Sequence, residues 1–273
     1  MRVLRDAHVV VTPAPFRSIL DDFTFEFLQG GIEHQRGDNS LFKKSSYHSD
    51  YNKGMSYLHT MNFAESQRYQ WMNVLAPREV VDAELDLLRI AAEDGPFDGI
   101  LAFSQGSQMA AQTLIRHARL NPFATAEEKP FRFAVFVNGV TPGDAFEVPE
   151  GSTVLDLSEI SDLMKLILHL NAPEVKKTPG LRIERLPDGR EALTNDGFAY
   201  TKCDYQREGV LIDIPTLHIR CPKDTYDSEG LFQLCEPELR KELFHAHGHD
   251  FPRGSKEMNE IARLIRATAE LAV

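Results

Sequence analysis

An apolar run ends abruptly at a serine near position 100. Residues 100–103 (Ile-Leu-Ala-Phe) precede Ser104, and a helix-forming segment, Ser107 to Leu120, begins just after Gly106. A short apolar run bounded by turn residues is typical of a buried parallel strand. The pattern therefore predicts a strand, a tight turn with Ser104 at its corner, and a helix.

The rest of the chain alternates between the same two patterns. Apolar or alternating runs predict strands over residues 1–4, 22–28, 131–138, 216–222 and 241–247. Apolar residues at helical spacing predict helices over residues 77–93, 107–120 and 255–271, the last with Ser255 as its N-cap. Strands that alternate with helices are typical of a doubly wound α/β fold with a mostly parallel sheet.

Two stretches break this alternation. Residues 32–60 are polar and irregular, as expected of a long loop. Between Gly143 and Ile214 an apolar helix is predicted over residues 157–170, followed by a polar stretch with Pro-Gly and Asp-Gly turns. We expect one domain over residues 1–273, in which residues 144–213 form a lid-like insertion over the carboxyl edge of the sheet. The alternative is a peripheral hairpin and helix without substrate contact.

The turn at Ser104 has the form of a nucleophile elbow. This motif is normally G-x-S-x-G between a strand and a helix, and here Ala102 stands at its first glycine. The corner lifts the serine hydroxyl above the sheet edge, and the positive end of the following helix faces any anion that forms there. By itself the motif is also compatible with an ordinary turn of small residues.

Two further side chains follow later strands. Asp224 comes after the strand predicted over residues 216–222, and His249 comes after the strand predicted over residues 241–247. Together with Ser104 they give the Ser-Asp-His chain order of α/β-hydrolase triads. Carboxyl ends of parallel strands lie at one edge of an open sheet, where ligands bind. Asp227 is the alternative acid, but Asp224 is closer to the strand end.

The composition of the chain limits which classes of molecule it can bind and which compartment it occupies. The chain of 273 residues carries a formal net charge of −11, which argues against nucleic acid or an anionic membrane as a partner. The three cysteines have no CxxC spacing and are expected to be reduced thiols in a cytoplasmic protein. No apolar run is long enough to span a bilayer, and the first residues lack the apolar core of a signal peptide.

Four segments resemble the fungal serine hydrolase (FSH) family. Residues 95–106 (GPFDGILAFSQG) are similar to its elbow signature, and residues 131–139 (FRFAVFVNG) to a strand that ends in Ser-Gly in the family. Residues 214–220 (IPTLHIR) with Asp224, and residues 245–252 (HAHGHDFP), resemble its acid and histidine segments.

This resemblance implies an α/β-hydrolase fold and an esterase or thioesterase, most like the members associated with fungal polyketide biosynthesis. Ser104 would be the nucleophile, Asp224 the orienting acid and His249 the base. The substrate would be a small-molecule ester or thioester, either free or carried on a synthase acyl carrier domain. No cofactor is expected. We expect Phe103, Tyr47 and Met164 to contact the substrate.

The chain departs from the family's pattern around the site. By the resemblance, the oxyanion hole of this chain would use the Gln105 N–H and a second N–H donor. In the family the second donor comes from the loop after the first strand, which reads L-H-G. Asp6-Ala7-His8 stands there, so the second donor would be Ala7 or His8. Cys221 and His247 replace glycines beside the acid and the histidine, and we expect both to crowd the site.

Three other interpretations stay open. His245, His247 and His249 alternate and on a strand would share a face, as metal ligands do, although no further ligands stand at recognisable spacing and we expect no metal. The altered first loop is also compatible with a non-hydrolytic isomerase, cyclase or dehydratase that uses His249 as acid and base. The third is an inactive binding partner of a larger synthase.

Overall fold

The structure is a computed structural model that describes residues 2–6, 19–28, 32–33, 69–70, 72–162, 164–165, 168, 175–224, 226 and 228–272. In chain order its strands are β1 (Arg2–Asp6), β2 (Thr24–Leu28), β3 (Ile32–Glu33), β4 (Tyr69–Gln70), β5 (Gly99–Phe103), β6 (Phe133–Val137), β7 (Gly143–Glu147), β8 (Thr153–Val154), β9 (Arg182–Arg185), β10 (Glu191–Asn195), β11 (Phe198–Lys202), β12 (Thr216–Arg220) and β13 (Arg240–Phe244). Its helices are α1 (Pro77–Asp94), α2 (Gln105–Leu120), α3 (Tyr205–Glu208), α4 (Glu229–Gln233) and α5 (Ser255–Ala269).

Six of these strands form a parallel sheet in the order β13-β12-β6-β5-β1-β2. Strand β6 is buried at all five of its positions, as the near-continuous apolar sequence predicts for the middle of a parallel sheet. Because all six strands run in one direction, their carboxyl ends lie at the same edge. The last residues of β5, β12 and β13 therefore approach the same region.

The two faces of this sheet belong to two apolar clusters. On one face, α1 and α2 pack against Ile100, Ala102 and Phe136. On the other face, α5 packs against Leu101, Val135 and Ile219. The period-2 alternation of strand side chains divides β5 and β6 between these two clusters. Helices on both faces of a parallel sheet, with the strand-serine-helix corner at β5, confirm the predicted α/β-hydrolase fold.

Residues 143–202 contain a second sheet that the sequence did not predict. Strands β7, β11, β10, β9 and β8 form an antiparallel sheet in that order. The predicted helix over residues 157–170 begins later, because residues 157–159 form a turn and residues 162, 164, 165 and 168 are helical. Hydrogen bonds from Asn195 Nδ2 to the Leu75 carbonyl (3.2 Å) and from Gln108 Nε2 to the Tyr200 hydroxyl (3.0 Å) join this sheet to the main domain.

Other elements begin or end a few residues away from their predicted boundaries. Strand β13 ends at Phe244 and does not reach His247, so the alternating histidines lie in a loop and not on one strand face. Helix α5 is capped by Gly254, whose N–H donates to the Glu257 carboxylate (3.3 Å), and Ser255 is already its first helical residue. Most of the predicted loop over residues 32–60 lies outside the described residues. No helix within the described ranges is long and apolar enough to cross a membrane.

A histidine lies in the middle of the sheet. His218, on β12, is 1% exposed and lies between the rings of Phe136 and Phe232. Its Nε2 is 3.1 Å from the Thr216 hydroxyl. Burial, with the nearby Arg220 and Arg240 cations, lowers the pKa of His218 to about 3. The folded protein therefore keeps this imidazole neutral at pH values where the unfolded chain protonates it.

We expect His218 to make folding sensitive to mild acid. Below pH 6.5 the unfolded chain binds a proton at this residue and the folded protein does not, so stability falls as the pH falls towards 3. His218→Gln removes that titration. Between pH 7 and pH 5 the free energy of unfolding should decline by about 2 kcal/mol more in the wild type than in the variant. Urea unfolding at both pH values measures this, and equal declines would contradict it.

Candidate active site

Ser104 occupies a strained corner between β5 and α2. Its φ of 53° and ψ of −120° place a non-glycine residue in the left-handed half of backbone space, which is uncommon. The Ser104 N–H donates to the Val137 carbonyl at the end of β6 (2.9 Å). Behind the corner, the buried Ser107 hydroxyl donates to the Ala102 carbonyl (2.8 Å). These contacts fix the corner to the sheet.

Three side chains from different strand ends meet at this corner. His249 Nε2 lies 2.7 Å from Ser104 Oγ. His249 Nδ1 lies 2.7 Å from Asp224 Oδ2. The predicted serine, histidine and acid therefore form one hydrogen-bonded line. The His249 side chain is 22% exposed and the Asp224 side chain 5%, so the imidazole is partly exposed and the carboxylate is buried.

The carboxylate is held in a turn after β12. The Asp224 N–H donates to the Cys221 carbonyl (3.0 Å), and Asp224 Oδ1 accepts the Tyr226 N–H (3.2 Å). With Oδ1 engaged by the Tyr226 N–H, Oδ2 accepts the Nδ1 proton of His249. This assignment leaves Nε2 as the acceptor for the Ser104 hydroxyl. The alternative acid, Asp227, lies outside the described residues.

Two aromatic rings flank the His249 imidazole. The Phe103 ring centroid is 5.4 Å from the imidazole centroid, and the Tyr226 centroid is 4.6 Å away. Phe103 is the last residue of β5 and was predicted to contact the substrate. Tyr226 was missed, because a lone tyrosine in a turn carries no sequence pattern. Burial, and then the neighbouring Asp224 carboxylate, raise the pKa of the Tyr226 phenol.

The other two alternating histidines have separate partners. His245 Nε2 is 2.9 Å from Asn138 Oδ1, and His247 Nε2 is 2.8 Å from Glu257 Oε2. The hydrogen bond from His247 lowers the pKa of Glu257. His247 therefore contacts the first turn of α5 and does not crowd Ser104, contrary to expectation. Among the described residues no three metal-ligating side chains converge.

Gln105, the first residue of α2, provides the backbone N–H nearest to the Ser104 corner. Its side chain is tied down separately, because Nε2 donates to the Met72 carbonyl (3.3 Å). The N–H groups at a helix start attract negative charge. Ala7 and His8, predicted to supply a second donor, lie outside the described residues.

The remaining predicted substrate contacts are Met164 and Tyr47. Met164 is 6% exposed and lies in an apolar cluster with Ile160, Ile183, Leu193 and Leu75. Leu75 is three residues beyond Met72, whose carbonyl holds the Gln105 side chain. Met164 therefore lies in a cluster that includes one residue of the segment before α1. Tyr47 lies outside the described residues.

Comparison with known proteins gives relatives from fungi. The chain is 29% identical to a hydrolase named FUB4 from Fusarium oxysporum f. sp. lycopersici over 73% of this chain and 77% of that protein. It is 26% identical to the esterase alnB from Emericella nidulans over 89% of this chain and 85% of that protein. Among solved structures, the Bacillus cereus carboxylesterase gives a TM-score of 0.43 at 10% identity, over 98% of this chain and 88% of that chain.

A match to a protein family covers nearly the whole chain. Residues 15–261 match the family described as Serine hydrolase (FSH1). The resemblance first seen in the four sequence segments is thus confirmed. The chain belongs to the serine hydrolase (FSH1) family and is a hydrolase.

Proposed function

We propose that this hydrolase cleaves a carboxylic ester or acyl-thioester through an acyl-enzyme on Ser104. The observation that carries the proposal is the unbroken line from Ser104 Oγ to His249 Nε2 and from His249 Nδ1 to Asp224 Oδ2, with 2.7 Å at each step. Both distances are short enough for proton transfer along the first bond and for orientation of the imidazole by the second.

The reaction follows from these positions. Ser104 Oγ attacks the acyl carbonyl while His249 Nε2 takes its proton, and the tetrahedral oxyanion forms. The C–S or C–O bond to the leaving group breaks as His249 returns the proton to it. A water then attacks the acyl-enzyme, gives its proton to His249 and releases the acid, and Ser104 regains its proton. The buried Asp224 carboxylate stabilises the imidazolium that forms during acylation and again during deacylation.

The oxyanion is assigned to backbone donors. The Gln105 N–H lies at the positive end of the sixteen-residue α2, next to the nucleophile, and would be the first donor. The second donor is assigned to Ala7 or His8, beyond β1, whose neighbour in the sheet is β5. We propose that the insertion over residues 144–213 is a lid, since its apolar cluster includes Leu75, close to the segment that holds Gln105.

The hydrogen bond between Ser104 and His249 favours this chemistry over a non-hydrolytic reaction. An isomerase, cyclase or dehydratase that uses His249 as acid and base has no need for a serine at 2.7 Å in a strained backbone conformation. The substrate is assigned to polyketide-type secondary metabolism on the sequence resemblance, either free or bound to an acyl carrier domain. We place the protein in the cytoplasm because Cys203, Cys221 and Cys235 are free thiols.

Labelling with a fluorophosphonate probe tests the nucleophile. The wild type should be labelled at Ser104, and Ser104→Ala should lose labelling and about 10⁴-fold or more in kcat because the covalent step is lost. Asp224→Asn should keep the fold and lose about 10⁴-fold in kcat, since the wrong imidazole tautomer is held. Ser255→Ala, at an exposed position, is the matched control. Labelling that survives Ser104→Ala would refute the assignment.

Tyr226 should support the imidazole. Because its ring packs 4.6 Å from His249, Tyr226→Ala should lower kcat about 2- to 10-fold, the range for losing one aromatic contact. Tyr226→Phe keeps the ring and should retain nearly full activity. Steady-state hydrolysis of an aryl ester measures both. A loss in Tyr226→Phe as large as in Tyr226→Ala would assign the effect to the hydroxyl instead.

A substrate panel tests the acyl and leaving groups. Acyl-thioesters and aryl esters with short and long acyl chains should all acylate the same serine, and the class with the highest kcat/KM identifies the leaving group. If the proposal is right, polyketide-like β-keto thioesters should exceed simple acetyl esters in kcat/KM. A preference for acetyl aryl esters would remove the assignment to polyketide-type metabolism and would leave the hydrolase in place.

A further inference from the structure

We propose that Asn138 and His245 are a pair of positioning residues that hold the His249 loop in register with Ser104. This inference rests on the proposed function and adds two residues that no triad motif includes. The geometry points to them because the Asn138 amide contacts the chain on both sides of His249. His245 completes the hydrogen bonding of that amide.

The loop that carries His249 needs such a support. It begins where β13 ends at Phe244 and continues to Phe251, which is 3% exposed and packs in the apolar cluster around α5. Between these points residues 246–250 form bends, and Gly248 has a φ of 64°. Irregular backbone is positioned by side-chain hydrogen bonds when no ladder holds it.

Asn138 supplies these bonds from the end of β6. Its Nδ2 donates to the Asp250 carbonyl (2.9 Å) and to the Gly248 carbonyl (3.4 Å), the residues immediately after and before His249. The side chain is 1% exposed, and its backbone N–H donates to the Ile219 carbonyl (2.8 Å). Its φ of 45° is a conformation that asparagine tolerates better than most residues. A buried amide anchored to two strands thus bridges the loop around His249.

His245 fixes the orientation of this amide. Its Nε2 lies 2.9 Å from Asn138 Oδ1, and its Nδ1 accepts the His247 N–H (3.2 Å). Nδ1 as an acceptor requires the neutral tautomer with the proton on Nε2, so Nε2 donates to the amide oxygen. Burial, and then the neighbouring His247, lower the pKa of His245, which favours this neutral form. The Asn138 amide consequently presents its NH₂ group to the loop carbonyls.

The hydrogen bonds of Asn138 indicate what the loss of its side chain would do. Without the Asn138 side chain the carbonyls of Gly248 and Asp250 lose their donor, and His249 can shift relative to Ser104. A displacement of about 1 Å in a catalytic group costs on the order of 100-fold in rate. A shift of His249 acts on the proton transfer from Ser104 and not on contacts that hold the substrate. The loss should therefore appear in kcat and in the rate of serine labelling, with KM nearly unchanged.

The test compares five variants of the 273-residue chain. Asn138→Gly is preferred to Asn138→Ala because glycine tolerates the positive φ and isolates the effect of the side chain. His245→Leu removes the donor to Asn138 Oδ1, whereas His245→Gln retains an N–H near the position of Nε2. Asn121→Ala, at an exposed asparagine after α2, is the matched control.

The readouts are the rate of fluorophosphonate labelling, kcat and KM for an aryl ester, and the thermal midpoint. Asn138→Gly and His245→Leu should lower kcat and the labelling rate about 10- to 100-fold with KM within about threefold. His245→Gln should retain most of the wild-type kcat and labelling rate. The double variant Asn138→Gly/His245→Leu should lose no more of either quantity than the single variants do. The control Asn121→Ala should match the wild type.

Two results would overturn the inference while leaving the nucleophile assignment intact. One is labelling of Asn138→Gly and His245→Leu at the wild-type rate. The other is a His245→Gln variant as slow as His245→Leu, which would show that packing and not hydrogen bonding matters at this position. If Asn138→Gly does not fold, the two His245 variants still decide the question. Failure of the wild type itself to label would instead remove the proposed function.

Discussion

The positive φ of Ser104 is the constraint on which the rest of the site depends. A non-glycine residue in this region costs on the order of 1–3 kcal/mol and persists only where its surroundings determine it. Here the N–H bond to Val137, the buried hydroxyl of Ser107 and the start of α2 all hold the corner. The strain places the Ser104 hydroxyl at the sheet edge, within reach of His249. A relaxed backbone at this position would turn the hydroxyl elsewhere.

Much of this arrangement could be predicted because its signals are local. The β5 strand, its serine and the helix after it are one continuous pattern, and the acid and the histidine each follow a strand in the expected order. The second sheet could not be predicted in the same way. Strands such as β9 (Arg-Ile-Glu-Arg) and β10 (Glu-Ala-Leu-Thr-Asn) are short and half polar, and they become strands only through pairing with each other. Tyr226 and Asn138 were missed because single residues in turns gain their meaning from partners distant in sequence.

The departures from the family pattern become intelligible in three dimensions. His247 replaces a glycine, but its ring is directed to Glu257, which also accepts the N–H that caps α5. The extra side chain thus lies against the start of α5. Asn138 stands where the family's strand ends in serine. Its longer amide spans two loop carbonyls and an imidazole, contacts that a serine hydroxyl with one proton cannot make together.

The separation of the three aligned side chains along the chain also bears on how the molecule reaches its native state. Ser104 and His249 are 145 positions apart, and β6 and β12 lie between their strands in the sheet. Contacts of such high contact order form late and slowly, since loop closure must precede them. Recovery of enzyme turnover after dilution from denaturant would consequently follow assembly of the last strand pair, and would lag behind the spectroscopic signal from helices.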